Sequence, residues 1–326
     1  MSECKKLLIF GATGLVGRHI VQQIIKGKDA FDRISVFTSP GTVSSKSGEI
    51  ANLKNSGIEI LVGNITDEDD VKKAYQGIDT VISAVGRNMI QHQTELIRLA
   101  DETPNIHRFF PSEYGTDIEH GPESAAEKPH QNKLKVRSFI RSCRNLDYTF
   151  LVTGPYADGD PVLYLSPNHG ATVTGSFDVR IKKAVLLGSG DLRIAFTTMT
   201  DVGKLLLAAL THPDASRNKA LKVKSFTTTD TAILEEFEKQ TGGEKWDVSY
   251  TSVEDLKRLE KEAWQTGNPL ATVMTLRRIW ATGGTLYDKW DNEVIGTPAV
   301  QNLAEAVTAA IDVQLHGEQE LKRKLV

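Results

Sequence analysis

Leu7-Leu8-Ile9-Phe10-Gly11-Ala12-Thr13-Gly14-Leu15-Val16-Gly17 runs an apolar segment straight into three glycines spaced three apart. In a strand-turn-helix unit the first glycine permits the sharp turn and the second lets the backbone approach a pyrophosphate. The third lets the helix lie close on the sheet. The flanks supply the context that such a motif demands. Residues 7–10 read as a buried strand, and Val16, Ile20, Val21, Ile24 and Ile25 recur at helical spacing until Lys26-Gly27 closes the helix. A dinucleotide site is therefore expected, with Gly11, Thr13, Gly14, Leu15, Val16 and Gly17 around the pyrophosphate. There the helix N-terminus offers N–H groups and the positive end of its dipole.

Composition narrows the function classes. The 326 residues can bury about three quarters of their unfolded surface, in one large domain or two intimate ones. With 39 Lys+Arg against 42 Asp+Glu and a formal net charge of −3, no basic excess exists to neutralise a phosphate backbone. Nucleic acid is not an expected partner. Cys4 and Cys143 are too few for a disulfide scaffold, and the eight histidines form no His-x-x-x-His pair. No metal site is expected. No apolar stretch approaches a membrane span, and the glycine motif lies too near Met1 for a cleaved signal peptide. A cytoplasmic chain with no membrane partner is the expectation, and its oligomeric state is not legible.

Strand and helix patterns alternate through the first half, as a doubly wound parallel sheet requires. Strands are expected at 7–10, 34–38, 58–62, 80–85, 107–110 and 148–153. Thr66 with Asp69 is read as the start of a helix through Val71 and Ala74, and another helix is expected over 91–100. Residues 112–129 form a long loop at the carboxyl edge, of the kind usually kept for function. A helix then starts near Pro129, with Val136, Phe139, Ile140 and Cys143 on one face. Residues 156–190 are rich in Gly, Pro, Ser and Asn, with strand candidates at 172–174 and 184–187. Residues 195–210 and 221–226 return to the main sheet, and helices follow at 232–240, 253–264, 270–280 and 299–315. The fold class is thus α/β, a Rossmann-type sheet with a smaller, interleaved α+β substrate domain. The first unit is 1–155 with a contribution from 191–227, and the second is 156–190 with 228–326.

The end of the second strand selects the cofactor. NAD-preferring sites place an acid there, but this chain reads Phe37-Thr38-Ser39 and then Pro40 to Lys46. Thr38, Ser39 and Lys46 offer donors and a positive charge to a 2′-phosphate, so NADP is expected over NAD.

A common short-chain dehydrogenase places tyrosine four residues before lysine, so that the ammonium lowers the phenol pKa. None of the seven tyrosines here has lysine at that spacing. The chain instead carries Arg108-Phe109-Phe110-Pro111-Ser112-Glu113-Tyr114-Gly115 and, one loop later, Asn132-Lys133-Leu134-Lys135-Val136-Arg137. With the glycine motif, Val81-Ile82-Ser83-Ala84-Val85-Gly86 and Leu187-Gly188-Ser189-Gly190, these segments resemble the NmrA-like branch of the short-chain dehydrogenases. The likeness is to isoflavone reductase-like proteins, including pinoresinol-lariciresinol and phenylcoumaran benzylic ether reductases and fungal counterparts.

The resemblance implies that Lys133 is the catalytic and cofactor-holding lysine, while helical projection alone places Lys133 and Lys135 as two edge lysines of one apolar stripe. It further implies Ala84, Val85 and Gly86 under the adenosine and ribose, Gln93 as a polar contact, and Phe110 and Pro111 beside the nicotinamide. Gly154, Pro155 and Tyr156 leave the sixth strand toward the cleft, and Tyr156 is a candidate proton donor. His130 and His169 are further loop candidates. Two departures stand out: Tyr114 where the reductases usually have phenylalanine, and Gly154-Pro155 where they carry asparagine and aromatics. The expected function is NADPH-dependent reduction of a small aromatic or phenolic substrate, with secondary metabolism as the expected setting. The alternatives are a non-catalytic NAD(P)-sensing regulator, or an isomerase or dehydratase that retains its nicotinamide.

Overall fold

The computed structural model describes residues 4–158, 164–168 and 172–317. His169 lies outside them. The strands in chain order are β1 (Lys6–Phe10), β2 (Arg33–Thr38), β3 (Glu59–Val62), β4 (Thr80–Ser83), β5 (Arg108–Phe110) and β6 (Asp147–Val152). They continue as β7 (Ser176–Asp178), β8 (Lys183–Leu187), β9 (Ile194–Phe196), β10 (Lys219–Lys222), β11 (Phe226–Thr228) and β12 (Asp247–Thr251). Seven of them form one sheet in the order β10-β6-β5-β4-β1-β2-β3, with every pairing parallel. The order reverses at β1 and β4, which makes their carboxyl ends the topological switch point where an open α/β sheet receives ligands.

Strand β1 shows why the run is continuously apolar. Its side chains alternate between faces, and both faces are covered. Leu7 and Ile9 pack with Ile24 and Leu205 on one side, Leu8 and Phe10 with Val81 and Phe150 on the other, all fully buried. The first face is closed by the helices Gly17–Lys26 and Met199–Thr211, which lie against each other.

A second layer is built from β7, β8 and β12 in one sheet and β9 paired antiparallel with β11 in another. The helices Asp230–Gln240 and Leu303–His316 pack together, and Phe177, Phe196, Phe237 and Val307 share their core.

Several local expectations change. Residues 172–174 form a 3₁₀ turn and not a strand. The helix after β3 is capped by Asp67, whose carboxylate accepts the Asp70 N–H at 3.0 Å, so it starts at Glu68 and not at Thr66. Residues 194–196 and 226–228 form their own two-stranded ribbon, and of that stretch only β10 and the helix Met199–Thr211 return to the main sheet. Strand β12 is half solvent-facing and alternates weakly, which hid it in the sequence. Residues 291–301 fasten to the main sheet although they lie between the helices Ala271–Ala281 and Leu303–His316 in sequence. The Lys222 N–H donates to Asp291 at 2.7 Å, the Gln301 N–H donates to Asp201 at 2.7 Å, and Ile295 joins the first core.

Candidate active site

The turn after β1 is built as the glycine spacing requires. Gly11 has φ +77°, and a Cβ there would stand 2.3 Å from the Ala84 carbonyl oxygen at the end of β4. A Cβ on Gly17 would come within 2.0 Å of the Gly11 carbonyl oxygen, so only glycine lets the helix start this close to the turn. Between them Gly14, Leu15 and Val16 form one wall of a cavity of about 440 Å³. This volume lies in the range of small-molecule sites. Ala84, Val85 and Gly86 form a second wall from β4, and Gly154, Pro155 and Tyr156 a third from β6. The helix Gln131–Ser142 adds Lys133. With His130, eleven of the candidate residues singled out from sequence therefore meet in one space.

The two segments that carried the resemblance are joined by an ion-pair network. Arg137 is fully buried, and its Nη2 donates to Glu113 Oε2 at 2.9 Å, while Nη1 reaches Asp117 at 3.2 Å and Glu119 at 2.8 Å. Glu113 is 1% exposed, so neither partner has water to fall back on. One turn earlier, Lys133 Nζ donates to the Glu113 backbone carbonyl at 2.7 Å. Burial lowers the Lys133 pKa below the usual lysine value, with the nearby Glu113 carboxylate opposing that shift. Lys135, two residues on, is exposed. The loop carrying Glu113 is itself pinned, because Ser112 Oγ donates to the Val85 carbonyl and the Ser112 N–H donates to Gln93 Oε1.

Tyr156 donates its hydroxyl proton to the Tyr114 backbone carbonyl, and burial raises its pKa, so the phenol stays protonated. Three residues that border this cavity each carry a buried polar atom with no hydrogen-bond partner among the described residues: Tyr114 Oη, His130 Nε2 and Arg277 Nη1. His130 Nδ1 lies 2.7 Å from the Ser124 carbonyl and must carry the proton to bond it, which leaves Nε2 of the neutral ring as an acceptor. Burial depresses the imidazole pKa, and that favours this neutral form.

The remaining nominated residues fall elsewhere. Phe110 is fully buried in the core and Pro111 does not border the cavity, since β5 ends with its aromatic turned into the sheet packing. Gln93 is 1% exposed and braces the loop at Ser112. Ser39 caps the short helix Pro40–Ser45, accepting the Thr42 N–H at 3.1 Å, and Thr38 is buried at the end of β2. Lys46 crosses from the end of that helix to the Thr13 carbonyl at 2.5 Å and so adjoins the glycine turn.

Sequence reasoning missed the wall supplied by the helix Ala271–Ala281, which brings Val273, Leu276, Arg277 and Trp280 to the cavity. Trp280 Nε1 donates to Thr116 Oγ1 at 2.8 Å, fastening this helix over the loop after β5. Amphipathic spacing marks such a helix, but nothing local says which cavity it covers. Tyr114 was visible only as a departure from phenylalanine.

A glycine turn at the switch point of a doubly wound parallel sheet defines a Rossmann-type nucleotide-binding architecture. Residues 3–276 match the NmrA-like family, and the chain belongs to it. It is similar to an isoflavone reductase of Pisum sativum, 36% identical over 162 residues that make up 46% of this chain and 51% of that protein. A phenylcoumaran benzylic ether reductase of Arabidopsis thaliana is 32% identical over 155 residues, 46% of this chain and 49% of the relative. The chain thus spans about half the length of the curated relatives it matches. A leucoanthocyanidin reductase from Vitis vinifera, solved as a binary complex with NADPH, superposes over 94% of this chain and 99% of its own with a TM-score of 0.77 at 20% identity. That likeness speaks to the fold.

Replacing Gly14 by aspartate is expected to abolish binding of both NADP and NAD, because a carboxylate would stand on the cavity wall beside the helix N-terminus. Fluorescence titration with NADPH checks this; retained affinity would move the dinucleotide away from this turn.

Proposed function

We propose that the chain is an NADPH-dependent reductase of small aromatic or phenolic molecules. The carrying observation is the shared cavity, in which the glycine turn and Lys133 border one space of small-molecule size at the sheet's switch point. The residues suit a dinucleotide: Gly14 and Gly86 keep two walls free of side chains, and Lys46 stands at the Thr13 carbonyl with no acid at the end of β2. The isoflavone and phenylcoumaran benzylic ether reductases among its relatives support the substrate class.

In this reading a bound nicotinamide supplies the hydride. Lys133, held at the Glu113 carbonyl, presents its remaining N–H bonds to the nicotinamide ribose and to developing negative charge on substrate oxygen. Tyr156 keeps a proton within the cavity wall, and His130 Nε2 accepts from a substrate hydroxyl. Tyr164 and the helix Ala271–Ala281 form the substrate side of the cleft. A cytoplasmic setting agrees with the free state of Cys4 and Cys143.

Binding of NADP is expected to exceed that of NAD, since Thr38, Ser39 and Lys46 set no carboxylate against a 2′-phosphate. Paired calorimetric titrations test this. Equal affinities, or tighter NAD, would remove the basis for NADP.

A further inference from the structure

The wall built by the helix Ala271–Ala281 holds a charge that hydride transfer does not use. Arg277 is 1% exposed and borders the cavity. Its guanidinium carbon lies 3.9 Å from the centroid of the Tyr164 ring, and Nη1, which lies toward Gly175, has no hydrogen-bond partner among the described residues. Among the described residues no carboxylate lies within ion-pair distance of it. The neighbouring acid, Asp230, is committed elsewhere: Oδ1 accepts the Tyr164 hydroxyl at 2.9 Å and Oδ2 accepts the Leu187 N–H at 2.9 Å.

Arginine does not shed its charge inside a protein, and a buried charge is costly unless it is paired. The Tyr164 face recovers part of that cost. What remains is a cation stacked on an aromatic ring, with no carboxylate to pair it, on a residue that borders a space of ligand size. Arg87 and Lys133 border the same space, and among the described residues no Asp or Glu does. Such a one-signed lining concentrates anions.

We infer that Arg277 selects substrates bearing an anionic oxygen, a carboxylate or an ionised phenol, which accepts from its guanidinium. The inference rests on the reductase reading of the cavity and narrows its substrate class. It also accounts for the helix being fastened over the loop by Trp280, since that bond fixes the cation at the cavity rather than in solvent.

The test uses the full chain saturated with NADP, titrated with 4-hydroxycinnamate, with its neutral amide, and with 4-nitrophenol at pH values on either side of its own ionisation. Wild type should bind the acid at least about tenfold more tightly than the amide, as a charge-assisted bond implies. It should bind nitrophenol more tightly once ionised if phenolates are accepted, and the two arms separate the two anion sources.

R277M should lose both preferences and keep NADP affinity within about twofold. R277Q serves as a second neutral variant should the methionine not fold, and R277K should retain a weaker preference for the acid. Equal binding of acid and amide by wild type, binding of no probe, or an acid preference that survives in R277M overturns the inference. So does a loss of NADP affinity in R277M as large as the loss of acid affinity, which would assign Arg277 to the cofactor. Failure of wild type to bind NADP would instead sink the reductase reading itself.

Discussion

Replacing Lys133 by alanine is expected to lower NADPH-dependent turnover by about two to three orders of magnitude, far more than it lowers NADP affinity. The reason is geometric. Lys133 Nζ spends one N–H bond on the Glu113 carbonyl at 2.7 Å, and this anchors a cation whose other donors face the cavity. A group so placed strengthens its hold as charge develops on substrate oxygen, so its loss falls on kcat more than on KM. Lys135 is the control. It is exposed on the same helix, and alanine is as good a helix former there, so Lys135→Ala should leave turnover near wild type. If both variants turn over a substrate at the wild-type rate, Lys133 holds no catalytic role and Tyr156 is the next residue to replace.

Arg137→Met should cost about 3–5 kcal/mol of unfolding free energy, the loss typical of a buried ion pair deprived of one member. Arg137 and Glu113 are both essentially inaccessible, so the substitution strands the Glu113 carboxylate without water or its ion-pair partner. It also removes a guanidinium 4.6 Å from the Phe150 ring centroid. Urea denaturation measures the loss. Adding Glu113→Gln should restore much of it, because the stranded charge is then gone. A single variant as stable as wild type would show that the pair does not hold the loop.

The same network gives the wild type an acid limb. Hydrogen bonding from Arg141, aided by Arg137, lowers the Glu119 pKa from its ordinary value to about 2, against the opposing effect of burial. A carboxylate depressed in the folded state stabilises above its unfolded pKa of about 4.5, and that contribution is lost as pH falls through about 2. Arg137→Met should flatten this dependence only in part, since Arg141 still contacts Glu119 through two hydrogen bonds.

The parts of the fold that rest on local pattern were readable from residues alone. The apolar run into Gly11, Gly14 and Gly17 defines strand, turn and helix because each glycine answers a separate steric demand, and Gly11 and Gly17 face the contacts that demand implies. What local pattern does not contain is the partner of a side chain. Glu113 and Arg137 lie 24 residues apart, and neither composition nor periodicity says that they meet. The same holds for the wall formed by Arg277 and Trp280, which crosses more than 150 residues to reach Thr116. Phe110 lies outside the cavity lining for the complementary reason. A strand-end aromatic has two faces to choose from, and here core packing takes it.

The central claim is that this cavity transfers hydride, as opposed to sensing a bound nicotinamide. The most direct measurement is single-turnover mixing of the NADPH-loaded chain with a panel of phenolic enones and benzylic ethers, following NADPH absorbance and the reduced product together. The account predicts that at least one member oxidises NADPH in stoichiometric amount, and that Lys133→Ala slows this step by about 10²–10³. NADPH that stays tightly bound and fully reduced against the entire panel would contradict it and leave the chain a nicotinamide-binding regulator.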